Sequence, residues 1–300
     1  MIPYVRQFDF AYGRSDQVSP LVQRVVAENA GPFTFTGTGT YIVGRPEAGS
    51  AVAVIDPGPM DLTHLEALKA ATAGRRVSHV LVTHTHRDHA PLAKPFAEVT
   101  GASILAARPP MRETHASGAL DEEEDGDFAP DVVLSGGEVI TGDGWTLEAM
   151  FTPGHASNHM GFVLREENGL FCGDHVMGWS TTVVAPPDGN MRHYMASLDA
   201  VIERDFDVLW PTHGAPISEV RPFLEAYRAH RLDREAQIAA RLAAGDQTVA
   251  EMVPALYAAV DSRLWPAASL SVLAHLIKLV EDGRAASDGE PGLAARFRPI

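Results

Sequence analysis

Along the first two-thirds of the chain the apolar positions switch repeatedly between a two-residue and a helical period. Residues 33–43 (FTFTGTGTYIV) and Ala51–Ile55 (AVAVI) read as strands, the second running into Asp56-Pro57-Gly58. Residues 61–71 (DLTHLEALKAA) carry apolar groups at helical spacing, and the short carboxylate of Asp61 predicts an N-cap. A buried strand is expected at 77–82, then a helix at 91–99 whose first turn tolerates proline, then a strand at Ser103–Ala107. Strands return at Val132–Leu134, Trp145–Phe151, 161–164 and 170–172, with a turn at Glu166-Glu167-Asn168-Gly169 joining the last two. A helix at 195–203 and a strand at 208–210 complete this part. Such a mixture predicts sheets covered by helices, an α/β sandwich.

Beyond about residue 217 the pattern is almost continuously helical. Residues 220–244 stop at Gly245, 249–259 follow, and 267–281 end before Gly283. Residues 284–298 contain Gly289 and Pro291 and predict a small hairpin. Three helices and a hairpin suggest a winged-helix-like module, dividing the chain into 1–216 and 217–300. No internal repeat or low-complexity linker interrupts it.

Composition narrows the class. The 300 residues are 45% hydrophobic and 21% charged, which excludes a disordered chain, a collagen-like fibre and a coiled-coil rod. No membrane-spanning run is expected, and the opening MIPYVRQFDFAYGR has no apolar core after its first charge. A single cysteine, Cys172, excludes an intramolecular disulfide and reads as a packed, inert thiol. These features predict a cytoplasmic chain without a membrane partner. The net charge is −15, with 14 basic and 28 acidic residues in 1–215. A polyanion approaching this segment meets long-range repulsion unless bound cations reverse the field. The run Asp121 to Asp127 (DEEEDGD) reads as a solvated loop, because adjacent like charges repel.

The strongest chemical signal is Thr83-His84-Thr85-His86-Arg87-Asp88-His89, directly after a buried strand. Imidazole and carboxylate are the donors favoured by zinc and related cations. Alternation places His84 and His86 on one side of an extended loop, while the turn at Asp88-His89 can aim a second pair at a neighbouring site. One ion rarely uses four donors packed so tightly, so the spacing suggests two. Further candidates are His155 in Thr152-Pro153-Gly154-His155, Asp174 in Cys172-Gly173-Asp174-His175, and His213 in Pro211-Thr212-His213-Gly214. Each sits at a predicted strand end beside a glycine that permits close backbone approach.

This ordered series, HxHxDH then H then D then H, resembles the metallo-β-lactamase-fold hydrolase superfamily over roughly residues 33–215. The resemblance implies an αββα metallo-β-lactamase sandwich in which His84, His86 and His155 hold one ion. Asp88, His89 and His213 hold the second, Asp174 bridges both, and Asp56 supports the site from behind. It also implies a dinuclear metal-dependent hydrolase. A water held between two divalent cations loses much of its proton affinity, and the resulting metal-bridging hydroxide attacks an electrophilic carbonyl or phosphorus. Zinc is the expected metal, with iron or manganese also compatible with the donors. Asp174 and Asp88 are the expected catalytic carboxylates, Asp88 orienting the nucleophile while remaining a ligand.

Residues 173–183 and the helical tail, including His230-Arg231-Leu232-Asp233-Arg234-Glu235, are similar to the β-lactamase-like protein 2 group, whose members carry a winged-helix-like C-terminal domain. The mitochondrial animal member is a single-strand-specific endoribonuclease, whereas bacterial members are mostly assigned only as metal-dependent hydrolases. Three readings follow. One is a hydrolase of a small ester, thioester or lactone, which suits the acidic first segment. Another is a single-strand-specific endoribonuclease or other phosphodiesterase, with single-stranded RNA as partner. The third is a metal-sensing protein that binds nucleic acid or a partner. Asn158, His159 and His175 are candidate substrate contacts. Leu264-Trp265-Pro266 is a candidate surface for a homo-oligomer.

Overall fold

The computed structural model describes residues 1–109, 128–259 and 261–300; the acidic run at 121–127 lies outside them. The first sheet contains, in spatial and sequence order, β1 (Ser15–Gln17), β2 (Val22–Val26), β3 (Gly39–Val43), β4 (Ala51–Ile55), β5 (Arg76–Val82), β6 (Ser103–Ala107) and β7 (Val132–Leu134). Neighbours are antiparallel as far as β4 and parallel thereafter. Parallel pairing needs crossovers, and α1 (Leu62–Ala71) and α2 (Ala93–Thr100) supply the first two. Asp61 caps α1 as its sequence predicts, its side chain accepting from Thr63 N–H at 2.8 Å.

The second sheet is built from β8 (Val139–Gly142), β9 (Trp145–Phe151), β10 (Met160–Leu164) and β11 (Gly169–Gly173), all antiparallel to their neighbours. Helix α3 (Met191–Glu203) then crosses over and returns the chain as β12 (Val208–Pro211), parallel to β11. Alternating residues fill the space between the sheets: Tyr41, Ile55, Leu81 and Leu105 from one meet Trp145, Leu147, Phe162 and Phe171 from the other. Val54, Val80 and Val82 on the outer face of the first sheet pack with Leu68 of α1 and Phe96 of α2. Val163, Leu170 and Leu209 on the second sheet's outer face pack with Leu198 of α3 and with Phe223 and Tyr227 of α4 (Val220–Ala243). The layers therefore run helix, sheet, sheet, helix.

Helix α4 is 24 residues long and serves two cores. Its first half belongs to the layer beneath the second sheet. Ile238 and Leu242 in its second half join Met252 of α5 (Val249–Leu256), Leu276 of α6 (Trp265–Glu281) and Phe297. A hairpin of β13 (Ala285–Ser287) and β14 (Phe297–Pro299) closes this module. Thr248 and Glu251 form a reciprocal capping box at the start of α5.

Three expectations change. Residues 33–38 are not strand: Gly37 has φ +121° and Gly31 bridges Phe35, so this segment is a tight loop ahead of β3. Strands β1, β2 and β8 join the sheets without having been expected. Residues Ser262–Glu281, contrary to the sequence reading, are long and apolar enough to cross a membrane by length and composition alone. Here Val272, Leu273 and Leu276 are spent inside the C-terminal core.

Phe162 is fully buried between the sheets. Phe162→Ala should cost about 3–5 kcal/mol in urea unfolding, because the cavity forms where both sheets are fixed. His64 on α1 is also buried, its Nε2 2.9 Å from Thr40 Oγ1. Burial lowers its pKa to about 4 against a small opposing pull from Asp61. The folded chain therefore binds fewer protons than the unfolded chain below pH 6.5, and this contribution to stability is lost as pH falls from 6.5 towards 4. His64→Leu should reduce the pH slope of the unfolding free energy in that window by up to about 1.4 kcal/mol per pH unit; equal slopes would refute the assignment.

Candidate metal centre

The strands that carry the candidate residues all end at one rim. Strands β4 and β5 run in parallel, as do β11 and β12, and β9 shares their sheet direction because both it and β11 oppose β10. Asp56 follows β4, His84 to His89 follow β5, His155 follows β9, Asp174 follows β11 and His213 follows β12. A chain leaving a ladder frees its polar groups to enter a cleft without breaking sheet hydrogen bonds. Gly173 has φ +51°, and a Cβ there would lie 2.6 Å from His159 Nε2. Only glycine lets β11 turn out at this point.

All seven expected donors converge. His86 Nδ1 lies 2.9 Å from His84 Nε2 and 3.2 Å from His155 Nε2. His213 Nε2 lies 3.1 Å from Asp88 Oδ2 and 3.4 Å from Asp174 Oδ2, while His89 Nε2 is 3.5 Å from a carboxylate oxygen of each. Three sets, His84/His86/His155, His84/His89/Asp174 and Asp88/His89/His213, each keep their donor atoms within 4.8 Å of one another. The middle set shares His84 with one outer set and His89 with the other, and Asp174 lies between them.

The opposite sides of the rings are held by the protein. His89 Nδ1 is 2.8 Å from Asp56 Oδ2, His155 Nδ1 donates to Val183 O at 2.7 Å, and His213 Nδ1 donates to Gly37 O at 3.2 Å. Holding Nδ1 in this way leaves Nε2 aimed inward. Asp56 also accepts from Thr83 N–H and Oγ1, each at 2.8 Å, and from Thr212 Oγ1 at 3.0 Å.

Electrostatics divide the cluster. Burial and the neighbouring imidazoles hold His84 well below the ordinary histidine range, and burial followed by His155 takes His86 to about 3. Both rings stay neutral, so each keeps one nitrogen lone pair to offer. Burial would also lower His89 and His213, but carboxylates outweigh it: Asp88, Asp174 and Asp56 raise His89, and Asp174 and Asp88 raise His213 to about 10. Conversely, burial opposes charge on Asp88 and Asp174, and the His89 and His213 rings nevertheless hold both carboxyls below the usual range.

The donor set fits divalent cations on a specific observation. His89 Nε2, His213 Nε2 and Asp174 Oδ1 are all buried, and none has a hydrogen-bond partner. Buried polar atoms seldom lack partners, and a group of them around one point marks a place built for a ligand. Nitrogen and carboxylate donors suit zinc and its first-row neighbours.

The three expected substrate contacts have other positions. His159 is fully buried, with Nδ1 2.8 Å from Thr152 Oγ1 and Nε2 accepting from Asp174 N–H at 3.2 Å. It holds the Asp174 backbone. His175 is also fully buried, its ring 4.9 Å from that of Tyr194. Asn158 donates to Thr85 Oγ1 at 2.9 Å, so its amide nitrogen is committed to the ligand loop.

Sequence reasoning missed the groups behind the donors. Thr83 and Thr212, which bind Asp56, each immediately precede a candidate histidine, and Thr85 likewise precedes His86. The repeated Thr-His pair was the available signal. The carbonyls of Gly37 and Val183 carry no signal, since any residue supplies one.

Comparison with known proteins agrees with this geometry. Residues 35–213 match the family model described as Metallo-beta-lactamase superfamily, and residues 248–294 match Beta-lactamase associated winged helix domain. The chain is 32% identical over 294 residues to an atrochrysone carboxyl ACP thioesterase of Paecilomyces divaricatus, covering 94% of this chain and 87% of that protein. It is 29% identical over 272 residues to the beta-lactamase-like protein 2 homolog of Caenorhabditis elegans, covering 89% and 87%. A beta-lactamase domain protein from Burkholderia ambifaria shares the fold with a TM-score of 0.81 at 21% identity, covering 100% of this chain and 97% of that one. With its rim of histidines and carboxylates between two sheets and a winged helix behind, the chain belongs to the metallo-β-lactamase superfamily.

Proposed function

We propose that this superfamily hydrolase cleaves an acyl thioester or a related small ester, using two divalent metal ions, most simply zinc. The observation that carries this reading is the convergence of seven nitrogen and oxygen donors around buried atoms that lack a hydrogen-bond partner. His84, His86 and His155 would hold one ion and Asp88, His89 and His213 the other, with Asp174 between them. When bound, the ions supply a water of lowered proton affinity and Lewis-acid polarisation of the substrate carbonyl.

The chain's own residues do the rest. Asp88 is the most exposed of the seven donors, its side chain 26% accessible, and it orients the attacking water from the open side. His89 and His213 give up their protons when cations replace them against Asp88 and Asp174, so metal uptake is favoured by rising pH. Asp56 keeps His89 in one orientation. Phe35 and Trp179 stack at 4.8 Å between ring centroids and lie against Gly214, the residue after His213. This half-buried aromatic pair offers an apolar wall to an acyl group. The thioesterase relative supports the same substrate class. The acidic first segment disfavours a phosphodiester polyanion.

Zinc-loaded protein should turn over an acyl N-acetylcysteamine thioester, lose that activity to a chelator and regain it with metal. Bis(p-nitrophenyl) phosphate and single-stranded RNA should remain at background; preferential RNA cleavage would overturn the reading. Asp174→Ala should lose bound metal and lower thioester kcat by more than about 100-fold, beyond the usual effect of an outer support. Its circular dichroism should be unchanged. Full turnover in that variant would reject the bridging role.

A further inference from the structure

Helix α4 reaches towards the metal centre at Thr182. Tyr227 and Arg231 lie four positions apart and so share a helix face. The Tyr227 hydroxyl accepts from Thr182 N–H, lies 3.0 Å from Thr182 Oγ1 and donates to Ser180 O at 3.2 Å. Arg231 donates from Nη2 to Thr182 O. The backbone of Thr182 is thus gripped on both sides by α4.

Thr182 passes this hold to two donors. Its hydroxyl lies 2.8 Å from Asp174 O, to which it donates. The next residue, Val183, supplies the carbonyl that receives His155 Nδ1–H. Arg231 is itself unusual. It is 3% exposed, has no carboxylate partner among the described residues and spreads its charge over the rings of Tyr194 at 5.0 Å and Tyr227 at 5.9 Å. A buried cation without an anion is costly unless its geometry is heavily used. Here the use is the Thr182 carbonyl and the two aromatic faces, of which Tyr194 also donates to His175 O at 2.8 Å.

We infer that Tyr227 and Arg231 are positioning residues for the metal centre, acting through Thr182 to fix the His155 ring and the Asp174 backbone. The inference rests on the metal-binding reading above. The C-terminal helix is then part of the binding apparatus, and metal affinity depends on it. Outer supports of metal sites typically change affinity by about 10–100-fold when removed.

The test uses zinc affinity, measured by competition with a chromophoric chelator, together with the visible spectrum of the cobalt-substituted protein. Tyr227→Phe removes the hydroxyl and keeps the ring; Thr182→Val removes the donor to Asp174 while Thr182→Ser retains it. Tyr227→Phe and Thr182→Val should each weaken zinc binding by about 10–100-fold and alter the cobalt bands, and Thr182→Ser should restore both. Phe223→Leu, in the same helix and core but away from Thr182, should lower Tm without changing zinc affinity. Wild-type affinity in both disrupting variants, or an equal affinity loss in Phe223→Leu, would overturn the inference while leaving the metal reading intact. A wild-type chain that binds no zinc would overturn both.

Discussion

A single buried carboxylate organises the rim of this molecule. Asp56 adopts φ +49°, a left-handed conformation that aspartate tolerates better than most residues, and so turns its side chain back beneath the ends of β5 and β12. It receives Thr83 N–H, two threonine hydroxyls and the His89 ring. An anion removed from water needs such a set of donors. Those donors come from both sheets, so satisfying one charge also fixes the spacing between the sheets where the cleft opens.

The remaining electrostatics follow from that fixed frame. Five histidines and two carboxylates crowded together would repel or pair according to the protons available. His84 and His86 are kept neutral by burial, while on the side nearer Asp88 rings and carboxylates face one another as ion pairs. The rigid carbonyls of Gly37 and Val183 set ring orientation from behind. The arrangement of the donors is therefore set from behind, by backbone that the loops supply.

Much of this was legible in the chain. The ligand loop announces itself because three histidines and an aspartate fall within six residues, a density packing does not require. Strands such as Ala51–Ile55 and Trp145–Phe151 show their burial directly in their side chains. Other features were hidden for physical reasons. The Phe-Thr alternation at 33–36 imitates a strand, while the loop is dictated by glycine geometry further on. His159 and His175 lie close to the donors in sequence, and their rings meet Thr152, the Asp174 backbone and Tyr194, contacts that sequence closeness does not reveal. Contacts made by backbone carbonyls, and the grip of α4 on Thr182, depend on tertiary placement that no local pattern encodes.

The length of α4 has a mechanical meaning. At 24 residues it forms a rod of about 36 Å, one end embedded beneath the second sheet and the other in the winged module. A continuous helix resists bending, since bending breaks its ladder of hydrogen bonds. The outer module is consequently joined to the layer beneath the cleft by an unbroken helix, with no flexible linker between the two cores.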